Sequence, residues 1–296
     1  MTQANPWQQL TLAANADDAE NVADTLLELG AVSATLTDAH DQPLFEPDWD
    51  NLPMWDDTQV VGLFTHDADI QTVIQTLSER LNRETFHYHV TELADQEWTT
   101  AWQQYYQPMC FGKSFWVCPT GYTVADKYAT TLVLDPGLAF GTGTHPTTAL
   151  CLSYLSQLAL MRKTIVDYGC GSGILAIAAL LMGGKQAIAI DNDPQACLAC
   201  KNNAMKNNIT DEQLQVYLSN QTPPVKADIV IANILANTLI ELSSTLLSHL
   251  KPKGLLILSG ILSNQVPRIK EHFQSMTFHC YEQDGWACLV GYDGLV

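Results

Sequence analysis

The sequence predicts an α/β protein in two parts. A ferredoxin-like α+β domain is expected over residues 1–94 and a doubly wound, mostly parallel sheet of seven strands over residues 112–296, with a connecting helix at 95–111. Three observations carry this. The first third reads β-α-β-β-α-β by periodicity, and the remainder alternates short apolar runs with helical ones. The last two strand-like runs are separated by Asp284-Gly285 alone, which is too short for a parallel crossover and so predicts an antiparallel hairpin.

In the first domain, residues 7–14 alternate as a strand. Residues 16–29 place Ala19, Val22, Ala23, Leu26 and Leu27 on one helical face and end at Gly30, a residue suited to the position after a helix. Residues 31–37 are a strand, and an acidic loop containing Pro and Trp follows at 41–57. A strand at 59–65, a helix at 68–81 and a strand at 86–93 complete the order. Trp98, Trp102, Tyr105 and Tyr106 lie in the connecting helix, where packing between domains is their expected use.

Charge separates the parts further. Residues 1–97 hold 19 Asp and Glu against two basic residues, Arg80 and Arg83, whereas residues 98–296 hold 13 against 12. The first domain therefore carries nearly all of the net charge of −18. An acidic field keeps a protein in solution, and it also attracts cationic partners while repelling phosphate backbones, so no direct nucleic-acid contact is expected of it. The N-terminus lacks a basic segment followed by an apolar one, and no stretch reaches about 18 uninterrupted apolar residues. A cytoplasmic protein without a membrane span is expected, with its eight cysteines reduced. Cys197-x-x-Cys200 has no second Cys or His pair to complete a zinc site; it reads as helix packing, and no metal is expected.

In the second domain, strands are expected at 164–167, 186–191, 214–218, 228–233, 255–259, 278–283 and 286–291, with helices opening near Ile174, Pro194, Ala236 and Asn264. Ligands of such sheets bind outside the carboxyl ends of the strands, and four ends or loops there carry polar groups. At the first, Asp167-Tyr-Gly169-Cys-Gly171-Ser-Gly173 turns between strand and helix with its backbone N–H groups unobstructed. Asp167 could orient this loop or meet a ligand directly. At the second, Asp191 can accept both hydroxyls of a ribose, while Asp193 before Pro194 reads as a helix cap. Ahead of them lies Asp135-Pro-Gly-Leu-Ala-Phe140-Gly-Thr142-Gly-Thr-His145-Pro-Thr-Thr148, a flexible segment opening a helix, whose N–H groups and threonine hydroxyls could hold a carboxylate. His145 is expected to cap or hydrogen-bond rather than act as a base. At the fourth, Asn233 ends an apolar strand, where it could align an amine lone pair or cap the helix near Ala236.

The spacing G-x-G-x-G after an acidic residue departs from the dinucleotide fingerprint and resembles motif I of the class I S-adenosylmethionine (AdoMet) methyltransferases. A terminal hairpin on the sheet resembles that class too. Together with Asn-Ile-Leu-Ala at 233–236 and Leu-Ser-Gly-Ile-Leu at 258–262, the two blocks above make the whole chain similar to the bacterial ribosomal-protein methyltransferase PrmA family, which acts on large-subunit ribosomal protein eleven. The resemblance implies an AdoMet-dependent protein N-methyltransferase that trimethylates lysine ε-amines and an N-terminal α-amine of that basic protein, through recognition by the first domain. It implies AdoMet contacts at Thr148, Gly169, Asp191 and Asn233, with Asp167, Gly171, Gly173, Phe140, Thr142 and His145 counted beside them, and Asn233 as the catalytic residue. By the residues alone, a methyltransferase of another protein or small molecule, or an AdoMet-binding assembly factor without chemistry, stays open.

Overall fold

The computed structural model describes residues 7–293 except 41–54, 56, 84, 94–106, 136–140 and 142. The chain divides into two compact units, Met1–Ala101 and Trp102–Val296.

The first unit runs β1 (Trp7–Ala14), α1 (Ala19–Glu28), β2 (Ser33–Asp38), β3 (Thr58–Thr65), α2 (Ile70–Arg80) and β4 (Tyr88–Leu93). The sheet order is β2-β3-β1-β4, every neighbour antiparallel. Alternate residues Leu10 and Leu12 of β1 and Val60 and Phe64 of β3 meet Val22 and Leu26 of α1 and Val73 and Leu77 of α2 in one core. The two periodicities, 2.0 and 3.6, thus bring their apolar faces to a common layer. Helix α2 starts later than its apolar pattern because Asp69 caps it, accepting from Gln71 N at 3.1 Å and Thr72 N at 3.3 Å. Hydrogen bonding from Thr72, its side chain foremost, holds the Asp69 carboxyl below the ordinary carboxylate range. Both arginines of the first unit are engaged within it, Arg80 with Glu28 at 2.6 Å and Arg83 with Asp18. Such exposed pairs add little stability. They leave no further Lys or Arg among residues 1–97 to offset the other acids.

The second unit opens with a three-stranded sheet, β5 (Met109–Phe111), β6 (Phe115–Cys118) and β7 (Thr130–Val133). The connecting helix expected over 95–111 is corrected at its end. Residues 95–106 lie outside the described residues, but Met109–Phe111 is a strand, paired antiparallel with β6. The cause is local: Gly112, at φ +64°, begins a three-residue turn that returns the chain alongside itself.

Then follow α3 (Pro146–Leu155), β8 (Thr164–Tyr168), α4 (Ile174–Leu181), β9 (Gln186–Asp191), α5 (Pro194–Lys206), β10 (Leu214–Leu218), β11 (Ala227–Asn233), α6 (Ala236–Glu241), α7 (Ser243–His249), β12 (Leu250–Leu262), α8 (Val266–His272), β13 (Met276–Gln283) and β14 (Trp286–Asp293). The seven-stranded mixed sheet has the order β10-β9-β8-β11-β12-β14-β13. Strands β8 to β12 pair in parallel, and β14 pairs antiparallel with both β12 and β13. Both residues of the last turn, Asp284 at φ +51° and Gly285 at φ +78°, adopt the left-handed backbone that a two-residue hairpin needs. Central β8 and β11 are buried on both faces. One face meets a core with α3, α4 and α5, and the other meets a core with α6, α7 and α8.

The residue that ends α5 also fastens the small sheet. Asn207 Oδ1 accepts from Val133 N at 2.7 Å, and its Nδ2 donates to Val133 O at 2.8 Å, so an amide replaces a missing strand neighbour. Replacing Asn207 by Ala orphans both backbone groups at a buried site. Urea unfolding of the full chain should then show a loss of about 2–4 kcal/mol; a loss below about 0.5 kcal/mol would deny the amide this role.

Candidate active site

Strand order reverses between β8 and β11, since the chain leaves β8 toward β9 on one side and reaches β12 from β11 on the other. A crevice forms outside the carboxyl ends at such a point. Here it is a cavity of about 500 Å³, lined among others by Thr148, Gly169, Gly171, Asp191, Asn233 and Trp286.

The glycine loop folds back over the end of β9, Gly169 N and Cys170 N both donating to Ile190 O at 2.7 and 3.0 Å. Gly169 has φ +75°, and a Cβ there would overlap Ile234 Cγ2, so backbone shape and space both exclude a side chain. Asp191 is 9% exposed, and its carboxylate is aimed by two backbone donors, Gly171 N to Oδ2 at 2.9 Å and Asp193 N to Oδ1 at 3.0 Å. A carboxylate offers about four acceptor sites, so two remain for ligand hydroxyls. Asp193 caps α5 through Gln195 N at 2.8 Å, as its place before Pro194 suggests.

Asp167 and Gly173, counted above with the ligand contacts, are not among the residues lining the cavity. Asp167 lies beneath the loop, 1% exposed, where Oδ2 accepts from Ala176 N at 3.0 Å and ties β8 to the first turn of α4. Its Oδ1 is buried without a hydrogen-bonding partner. Burial raises its pKa to about 7; the Ala176 hydrogen bond opposes this and the Asp191 charge adds to it. Gly173, at φ +78°, gives its space to Cys200 of α5. Cys197 hydrogen-bonds Tyr217 O at 3.5 Å.

His145 is the N-cap of α3: Nδ1 accepts from Thr147 N at 3.4 Å and lies 2.8 Å from Thr147 Oγ1. Its ring packs edge-to-face on Trp286 with centroids 4.8 Å apart, and burial lowers its pKa, favouring the neutral ring. Next on the helix, Thr148 is fully buried, and its Oγ1 accepts from Asn233 Nδ2 at 3.1 Å. The other end of that amide, Asn233 Oδ1, is buried without a hydrogen-bonding partner. Asn233 does not cap the following helix, whose N-cap is Leu235. Phe140 and Thr142 lie outside the described residues.

The cavity also contains residues to which the sequence reading gave no site role, Ile234, Leu235 and Gly260 inside the two blocks quoted above and Trp286 among them. Gly260 ends the fifth parallel run as Asn233 ends the fourth, at φ +82°, and a Cβ there would overlap Ile234 O. Trp286 was legible by a different route: β14 is antiparallel, so its first residue must stand where the parallel strands finish.

The raised pKa of Asp167 has a consequence for stability. Below pH ~4 the carboxyl is protonated folded or unfolded; between pH ~4 and ~7 the unfolded chain releases its proton first, so stability falls as pH rises. Asp167→Asn removes that slope. Urea unfolding at pH 5 and pH 7 should show the variant gaining about 2–3 kcal/mol on the parent protein; a difference that does not vary with pH would contradict the buried carboxyl.

A family model described as Ribosomal protein L11 methyltransferase (PrmA) matches residues 6–293. A protein of Pseudomonas paraeruginosa (strain DSM 24068 / PA7) named ribosomal protein L11 methyltransferase is 44% identical over 289 residues, 97% of this chain and 98% of that relative. Another of that name, from Pseudomonas putida (strain W619), is 46% identical over 289 residues, 97% of this chain and 99% of the relative. Among solved structures, that of ribosomal protein L11 methylase from Lactobacillus delbrueckii subsp. bulgaricus matches with a TM-score of 0.59 and 33% identity, covering 64% of this chain and 99% of its own. With the family matched from residue 6 to residue 293 and relatives aligned almost end to end, the chain belongs to the ribosomal protein L11 methyltransferase (PrmA) family.

Proposed function

We propose that the protein transfers methyl groups from AdoMet to amines of ribosomal protein L11, lysine ε-amines and the N-terminal α-amine, up to trimethylation and on the free protein. The observation that carries this reading is the meeting, in one cavity, of a backbone-aimed carboxylate, Asp191, and an amide with an unpartnered acceptor, Asn233, across a loop with no side chain at Gly169 or Gly171. The names of the relatives support L11 as the acceptor.

The residues fit the cofactor. Asp191 has acceptor sites left for a ribose diol, and Gly169 and Gly171 present bare backbone in the cavity lining. When bound, AdoMet supplies a methyl group activated by a positively charged sulfur. The chain's own task is to present a neutral amine in line with it. At pH 7, deprotonation costs about 4.6 kcal/mol for a lysine amine and about 1.1 kcal/mol for an α-amine. Neither demands a dedicated base, and His145 Nδ1 is already engaged by Thr147. Asn233 Oδ1 accepts an amine N–H and turns the lone pair toward the methyl donor, while water takes the released proton; alignment to about 3–3.5 Å is the main requirement.

The recognition domain in this reading is residues 1–94, which fall within the first unit. Its order β4-β1-β3-β2 with two crossover helices supports the ferredoxin-like assignment. Its excess of acidic residues steers a basic ribosomal protein and repels rRNA, favouring the free protein and needing no nucleic-acid contact. No helix among the described residues is long and apolar enough to cross a membrane. A cytoplasmic location accords with a ribosomal-protein substrate.

Mass spectrometry of purified L11 after incubation with enzyme and AdoMet should show added methyl groups on lysines and the N-terminal amine; L11 that gains none overturns the assignment. Steering makes a separate demand: KM for free L11 should rise between low and physiological ionic strength as the Debye length falls to about 8 Å, and a salt-independent KM would remove the acidic unit from recognition.

A further inference from the structure

Asn233 and Thr148 reach the cavity from separate elements, the end of β11 and the first turn of α3, 85 residues apart in sequence. An amide can face a ligand by its donor end or its acceptor end. Here Thr148 Oγ1 takes the donor, Nδ2, at 3.1 Å, and the acceptor Oδ1 is left buried and unpartnered beside the cavity. A buried acceptor without a partner costs about 1–3 kcal/mol. A bound N–H donor relieves it. Thr148 is itself fully buried on a helix, which restricts the angle from which its hydroxyl can hold the amide.

We propose that Thr148 is a positioning residue for methyl transfer: it holds the Asn233 amide with Oδ1 toward the acceptor amine, and this aid serves the first two methyl transfers but not the third. The inference rests on the amine-methyltransferase reading above. A neutral primary amine has two N–H bonds and a neutral monomethylamine has one, so both can donate to Oδ1 while the lone pair points elsewhere. A neutral dimethylamine has none. Its lone pair is the only polar feature it offers, and an acceptor oxygen cannot orient it. The third transfer depends on the walls of the cavity alone.

The test compares two acceptors, unmodified L11 and L11 whose amines have been reductively dimethylated, with AdoMet affinity measured separately by calorimetry. Thr148→Val, close in shape but without the hydroxyl, should lower kcat on unmodified L11 about 10- to 100-fold. On dimethylated L11, with AdoMet saturating so that any change in its Kd drops out, the loss of kcat should be smaller by about 10-fold than on unmodified L11. Thr148→Ser restores the hydroxyl and should recover most of the loss. Should valine not be accommodated, Thr148→Ala provides the same two-acceptor comparison. Equal losses of kcat on both acceptors at saturating AdoMet would overturn the proposal in favour of a direct cofactor or general structural role. A double variant with Asn233→Ala separates the two readings. If Asn233→Ala by itself leaves kcat on unmodified L11 unchanged, amine alignment by Asn233 fails; if it lowers kcat and Thr148→Val adds its full loss on top, only the link through Thr148 fails.

Discussion

Ile234 occupies the point where three strand ends converge, and the site depends on how closely the backbone approaches it. Gly169, leaving β8, lies against its side chain, and Gly260, near the end of β12, lies against its carbonyl. Its own N–H donates to Ser259 O at 3.2 Å. A methyl group at Gly260 would meet backbone, which has no alternative rotamer, whereas one at Gly169 would meet a side-chain methyl. Asn233 precedes this wedged residue, so its direction is set before any ligand arrives. Ser259 extends the constraint: its hydroxyl contacts Thr147 O at 3.1 Å and Ala287 O at 3.3 Å, binding β12 to α3 and β14. Preorganisation of this kind fixes the amide at the strand end without a mobile arm.

The two carboxylates at neighbouring strand ends differ only in surroundings. Asp191 is held by two backbone donors at the cavity, whereas Asp167 has one donor and no access to solvent. Burial makes the second one hard to ionise, and its hydrogen bond to Ala176 N joins the strand to the helix under the loop. The carboxylate nearer the glycines in sequence therefore supports the loop, and the more distant one faces the cavity. The same contrast separates His145 from a base: capping α3 and packing on Trp286 leave it a neutral part of the wall.

The acidic leader shows a further division between pattern and placement. Its charge is a property of composition and needed no coordinates. That Arg80 and Arg83 pair with Glu28 and Asp18 of their own unit is visible only once α1 and α2 lie side by side.

The element order of the first unit, the alternation that builds a doubly wound sheet, the glycine loop, and Asp191 and Asn233 at strand ends were legible in the sequence, because periodicity, turn chemistry and strand termini are local properties, whereas the small sheet of Phe115–Cys118 and Thr130–Val133 and the helix Ser243–His249 were not read from it. The strand at Met109–Phe111 was not, since three residues carry no period and their state is set by pairing with Phe115–Val117 across the turn. Tertiary structure alone decided which end of the Asn233 amide faces the cavity, that Thr148 holds it, that Asp167 turns inward, and that Gly260 and Trp286 complete the walls. Each of these follows from contacts between residues far apart in the chain, at distances of a few ångströms that no local pattern encodes.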